Sequence, residues 1–148
     1  MNPESPEALE VRKLFEQRVE PIASGIVTIR GIVREPGTRT VLAVASTDPA
    51  TDAVGSCVGI RGAVVKDIVR ELQGEHIDIV LWNQSTERFL SNLFAPMQFV
   101  KISFDQTSHQ ATAVLGADSE LLASKTVTLN SRLFQHLTGW VLQFEMES

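Results

Sequence analysis

Two stretches of this chain end alike. Leu72-Gln73-Gly74 and Leu137-Thr138-Gly139 each close a helical pattern, and each is followed by a run in which apolar residues alternate. Worked outward from that match, one order of elements occurs twice: helix, strand, strand, helix, helix, strand. The repeat confines the chain to an α+β fold in two copies. A length of 148 residues has room for two very small domains packed together. No Gly/Ser- or Pro-rich linker separates the copies. The expectation is a first domain over 1–82 and a second over 83–148, packed in tandem.

In the first copy, Ser5 suits an N-cap and Pro6 the first helical turn, with Leu9, Val11, Leu14, Phe15 and Val19 as the apolar stripe and Pro21 as the stop. Strand patterns follow over 25–34 and 38–45, joined by the turn signal Glu35-Pro36-Gly37. Period two places Val27, Ile29 and Val33 on one face of the first. A short helical turn then precedes a helix bearing Val65, Ile68, Val69 and Leu72, with Gly74 as its cap and a strand over 75–82. The second copy reads as a helix over 85–95 with Phe89, Leu90, Leu93 and Phe94 inward, strands over 97–104 and 110–115, helices over 119–123 and 129–137, and a strand over 140–144.

Acidic residues exceed basic ones by 18 to 13, a net charge of -5, which excludes a polybasic nucleic-acid coat but leaves room for a local basic patch. One cysteine, Cys57, excludes an internal disulfide and a thiolate zinc cluster. It precedes an apolar run and is expected to be buried. No apolar run approaches the roughly 20 residues a bilayer needs, and the acidic start lacks a signal peptide's regions. A cytoplasmic protein with no membrane partner is expected. His76, His109 and His136 show no ligand spacing and no carboxylates pair recognisably, so neither an enzyme nor a cofactor is expected.

The sharpest local feature is Val58-Gly59-Ile60-Arg61-Gly62, set between a short helical turn and a longer helix. Two glycines around two residues let the backbone bend tightly and leave no Cβ to hold a ligand off. The turn opens onto a helix N-terminus, where unpaired amides and the dipole favour an anion, and Arg61 adds a forked cationic donor. This is a seat for a phosphate backbone. It is neither a dinucleotide loop nor a triphosphate loop, because no G-x-G-x-x-G follows a strand and no Gly-Lys-Ser/Thr is present. Ile60 is placed to meet a base or sugar. Lys66 and Arg70, four apart on the following helix, extend the positive track, and Arg34 and Arg39 flank the Glu35-Pro36-Gly37 turn, where they either reach RNA or stand at a solvated hairpin end. Trp82 and Trp140 are expected to pack between the copies, with base stacking as the other role.

The run Val58-Gly59-Ile60-Arg61-Gly62-Ala63-Val64-Val65 resembles the core of the KH module, whose glycine loop clamps four backbone nucleotides of a single strand. The preceding helix–strand–strand order is that of the type II form. The segments Leu14-Phe15-Glu16, Ile32-Val33-Arg34-Glu35-Pro36-Gly37, Asp52-Ala53-Val54-Gly55-Ser56-Cys57-Val58-Gly59, Ile68-Val69-Arg70-Glu71-Leu72 and Gly74-Glu75-His76-Ile77-Asp78-Ile79-Val80 look like the first KH domain of the NusA family of bacterial transcription factors. Leu137-Thr138-Gly139-Trp140 looks like the end of that family's second KH domain. The resemblance implies two type II KH modules that bind single-stranded RNA within a factor acting on RNA polymerase in elongation, termination and antitermination.

Register counted back from Gly139 puts the second glycine loop at Lys125-Thr126-Val127-Thr128, where no glycine occurs and β-branched residues stand instead. The second copy is therefore expected to be a degenerate KH domain with Lys125 as its remaining RNA contact. Gly59, Ile60, Arg61, Gly62, Lys66, Arg70 and Arg34 make up the rest of the expected RNA surface. The alternative is a protein-interaction module of the transcription machinery that has lost most RNA binding and docks on polymerase or another transcription factor. The acidic total and the missing second loop favour that alternative.

Overall fold

The computed structural model describes residues 4–116 and 126–147. The chain divides into two compact units, Met1–Trp82 and Asn83–Ser148.

The first unit opens with helix α1, Pro6–Arg18, capped by Ser5, whose hydroxyl accepts from the Ala8 amide at 3.1 Å. Its buried face is Ala8, Val11, Leu14 and Phe15, and Leu9, expected in that stripe, lies 41% exposed on the neighbouring face. Pro21 does not stop this helix. Val19 leaves the helical region first (φ -116°, ψ 101°), and a short helix α2, Glu20–Ala23, restarts with Pro21 in its first turn, where no amide donor is needed.

Strands β1, Val27–Glu35, and β2, Arg39–Ser46, pair antiparallel as expected. A bulge between Ile29 and Gly31 corrects the face assignment. One extra residue reverses the alternation beyond it, so Ile32 joins Val27 and Ile29 in the core opposite Leu42, while Val33 pairs with Val41 on the other face.

Helix α3, Ala53–Val58, is capped by Asp52, which accepts from the Gly55 amide at 2.9 Å. A tight turn over Gly59–Gly62 leads to helix α4, Ala63–Glu71. Gln73 and Gly74 end α4 at positive φ, with the Gly74 amide donating back to the Val69 carbonyl at 2.9 Å. Strand β3, His76–Leu81, then lies parallel to β2, giving the order β1-β2-β3. Helices α1, α3 and α4 bury Phe15, Cys57 and Ile68 against Ile32 and Leu42. Because β2 and β3 are parallel, α3 and α4 form the crossover between them, and α4 runs back toward the start of β3. The Gly59–Gly62 turn consequently lies toward the strands' carboxyl ends.

The second unit follows the same plan. Helix α5, Thr86–Phe94, is capped by Ser85 and buries Phe89, Leu90, Leu93 and Phe94. Strand β4, Lys101–Asp105, pairs antiparallel with β5, Gln110–Leu115, and β6, Val141–Met146, lies parallel to β5. The first of these strands starts four residues later than the alternation suggests, because the Met97 amide turns back to the Phe94 carbonyl at 2.9 Å. Helix α6, Thr126–Thr138, buries Leu129, Leu133 and Phe134, and the buried Asn130 amide donates to the Leu93 carbonyl at 2.7 Å. The helix expected over 119–123 and Lys125 lie outside the described residues. Val127 and Thr128 fall in the first turn of α6 rather than in a loop.

Candidate nucleic-acid interface

The turn between α3 and α4 has a backbone that few side chains allow. Gly59 sits at φ 83°, ψ 168°, a region essentially limited to glycine. A Cβ there would stand 2.6 Å from Val64 Cγ2 and 2.8 Å from the Val64 amide nitrogen. Arg61 (φ 57°) and Gly62 (φ 73°) are both left-handed. For Arg61 that is a strained placement, and it projects the side chain outward at the tip of the bend.

Three amides of the turn are already used. Gly59 donates to the Gly55 carbonyl at 2.9 Å, Gly62 to Gly59 at 3.0 Å, and Ala63 to Ile60. The Ile60 and Arg61 amides make no such backbone bond. An incoming anion therefore meets two free turn amides, fewer than a fully open helix start would offer.

Cationic side chains supply the rest. Arg61 is exposed and forms no ion pair among the described residues. Lys66 folds back over the turn, its Cε 3.4 Å and Nζ 4.0 Å from where a Gly62 Cβ would be. Arg70 is 80% exposed and stands 3.6 Å from Asp67. Beside them, Arg18, Ala63, Val64, Lys66, Asp67 and Arg70 line an open concavity of about 460 Å³. Ile60, 87% exposed, is the most exposed large apolar side chain described. The structure thus gathers Gly59, Ile60, Arg61, Gly62, Lys66 and Arg70 along one turn and one helix.

Arg34 does not belong with them. Only 8% of its side chain is exposed, and its guanidinium donates to both Glu75 carboxylate oxygens (2.8–3.1 Å), to Glu10, and to the Glu7 carbonyl at 2.9 Å. Glu75 is itself buried and accepts further bonds from Thr40 Oγ1 at 2.6 Å and the Gly37 amide at 3.0 Å. Burial alone would raise the Glu75 carboxyl, but the bonds from Arg34, Thr40 and Gly37 together outweigh it and hold the group below its ordinary value. A buried guanidinium committed to a buried carboxylate is unavailable to phosphate, so the expected role of Arg34 at the RNA surface is corrected to a structural one. Arg39 is likewise paired with Asp78.

Both tryptophans find partners within their own units. The Arg30 guanidinium lies 4.2 Å from the Trp82 ring centroid. Trp140 stacks on His109 at 4.2 Å, nearly parallel, and meets Phe104 edge-on at 5.0 Å. Cys57 is fully buried, and desolvation pushes its thiol up to about 11, which removes it from nucleophilic chemistry. No group of three potential metal ligands occurs among the described residues.

A three-stranded sheet covered by helices, with a glycine-bracketed turn leading into the helix before a parallel third strand, defines a KH-like module, and the second unit repeats its topology. Residues 5–82 match the NusA-like first KH domain, and the chain belongs to that family. KH domains are non-catalytic modules, so the chain is not an enzyme.

The chain is similar to the transcription termination/antitermination protein NusA of Rickettsia prowazekii, 39% identical over 138 residues that make up 91% of this chain and 27% of that protein. The NusA of Thermus thermophilus is 38% identical over 132 residues, 89% of this chain and 34% of that one. For Bacillus subtilis NusA the identity is 37% over 139 residues, covering 93% and 37%. The chain therefore spans roughly a quarter to a little over a third of the length of these relatives. The crystal structure of APE1850 shares the fold, with a TM-score of 0.63 at 19% identity over 97% of this chain and 99% of that one.

Proposed function

We propose that the first unit is a type II KH module that grips the backbone of a short single-stranded RNA, as part of a NusA-like factor of transcription elongation, termination and antitermination working with RNA polymerase in the cytoplasm. The observation that carries this reading is the juxtaposition at one exposed bend of Ile60, the unpaired Arg61 and the Lys66 ammonium, with the Ile60 and Arg61 amides free beside them. The glycines let a phosphate approach, the cations neutralise it, and Ile60 offers apolar surface to a base or sugar. The helix–strand–strand order before the turn and the parallel β3 after it support the type II assignment.

Affinity is modest and salt-sensitive in this reading. Three cations, Arg61, Lys66 and Arg70, reach phosphate against a net charge of -5. On a single strand the slope of log affinity against log salt is then about -2. Titration of labelled RNA and DNA oligomers against the wild type and an Ile60→Asp/Arg61→Asp variant tests the site. Asp is among the residues that tolerate the left-handed backbone at position 61, so the variant keeps the fold. Binding lost in the variant supports the clamp, and equal binding by both proteins removes it. A second reading, a protein-interaction module of the transcription machinery, is favoured by the acidic total and by the helical first turn at Val127 and Thr128. Recovery of protein partners after nuclease treatment, with no oligomer binding, would establish that reading instead.

A further inference from the structure

Helix α4 carries two carboxylates, Asp67 and Glu71, among the cations assigned to the RNA track. Asp67 is three residues from Arg70, a spacing at which helix side chains pair. A carboxylate bound to Arg70 competes directly with phosphate for the same guanidinium. The structure resolves that competition from another element. Arg18, the last residue of α1, reaches across with Nε 2.7 Å from Asp67 Oδ2 and Nη2 on Glu71 Oε1. Its Nη1 also donates back to the Leu14 carbonyl at 3.4 Å, holding the fork to its own helix. The Arg70–Asp67 contact is by comparison long, 3.6 Å, and runs to the other carboxylate oxygen. Lys66 forms no ion pair among the described residues.

We infer that Arg18 is a positioning residue for RNA binding: it neutralises Asp67 and Glu71 and holds them toward α1, so that Lys66 and Arg70 face phosphate without a carboxylate rival. The inference rests on the RNA-clamp reading above. Arg18 itself touches no RNA in this scheme, and its two carboxylate partners, each about half exposed, make the ion pairs worth little to stability.

The test is titration of a labelled single-stranded RNA oligomer at low salt, with thermal unfolding recorded for each protein. Arg18→Gln is expected to bind about fivefold more weakly than wild type, the effect of two uncovered charges beside the track. Adding Asp67→Asn and Glu71→Gln to Arg18→Gln removes those charges and restores affinity to within about twofold of wild type. A control with the same net charge, Arg18→Gln/Glu7→Gln/Glu35→Gln, neutralises acids away from α4 and stays weak. Asp67→Asn/Glu71→Gln with Arg18 intact leaves α1 untouched and binds at least as tightly as wild type. Weaker binding by that last protein overturns the inference, as does Arg18→Gln binding like wild type. Failure of the triple variant to recover means that Arg18 contacts RNA directly and also overturns it. If wild type binds no RNA, the clamp reading falls and this inference with it.

Discussion

The two glycines of the turn are expected to fail in different ways when substituted. At Gly59 an added Cβ meets two obstacles at once. The backbone lies in a region costing a non-glycine residue about 1–3 kcal/mol. The Cβ also overlaps the Val64 amide nitrogen at 2.8 Å, and a helix backbone cannot swing aside as the end of a side chain can. Gly59→Ala should therefore destabilise the first unit by about 3 kcal/mol or more. Gly62 is left-handed, but its Cβ direction meets only the far end of Lys66 at 3.4 Å. Gly62→Ala should cost no more than about 1–2 kcal/mol. Urea unfolding followed by Trp82 fluorescence in a Trp140→Phe background reads the first unit alone, since Trp82 belongs to it. Gly62→Asp completes the contrast. Asp tolerates the left-handed backbone and brings a carboxylate beside Lys66, so the protein folds while RNA affinity drops at least about tenfold. Equal destabilisation by Gly59→Ala and Gly62→Ala would refute the reasoning, because the same bend would then impose no special demand at Gly59.

Three further outcomes follow from two buried groups, Glu75 and Cys57. Glu75→Gln leaves the Arg34 guanidinium buried opposite a neutral partner and is expected to destabilise the first unit by about 3 kcal/mol in the same unfolding assay. Because the folded Glu75 carboxyl titrates below its ordinary 4.5, the unfolded chain binds a proton that the folded one refuses as the pH falls. Its contribution is full above that ordinary value and is lost as pH drops toward the lowered one, so stability against pH is steeper in wild type than in Glu75→Gln across that window. Cys57, with its thiol pushed up to about 11 and no exposure, should resist a thiol-alkylating reagent at neutral pH until urea unfolds the unit. Rapid labelling of the folded protein would contradict its placement.

Much of the fold was legible because local signals and burial agree. Ser5 caps α1, and the stripe Phe89, Leu90, Leu93 and Phe94 faces inward. Where the reading failed, a non-local cause took over. Period two put Val33 in the core, but one extra residue near Gly31 moved Ile32 there, and nothing in the apolar pattern marks a bulge. Pro21 looks like a stop, yet a proline is equally at home in a first turn, and only the extended backbone at Val19 decides between these. The Gly59–Gly62 bend was readable from its glycines. The use of three of its amides by the turn itself was not, because amide pairing depends on φ and ψ rather than on residue type. Arg34 misled for a related reason. Its partner Glu75 is 41 residues away and joins it only when β3 comes into place beside β2.

The internal repeat explains why Arg34 was never free to bind RNA. The His76 amide donates to the Thr38 carbonyl at 3.1 Å, and the Val141 amide donates to the His109 carbonyl at the same distance. With Arg39 opposite His76 and Gln110 opposite Val141, these bonds align the two sheets residue by residue. Arg34 then corresponds to Phe104, and Glu75 to Trp140. One copy fastens its hairpin to its third strand with a buried ion pair, the other with an edge-on aromatic pair at 5.0 Å. Either pair satisfies itself, whereas a mixture would bury an unpaired charge against a ring. The fastening sits where β2 and β3 begin, and the Gly59–Gly62 bend lies toward the end where they finish. Fold maintenance and the proposed RNA grip thus draw on opposite ends of one sheet. A copy can keep the fastening while its bend changes: the second unit has its own fastening, while Val127, which corresponds to Gly62 in this register, lies in the first turn of α6.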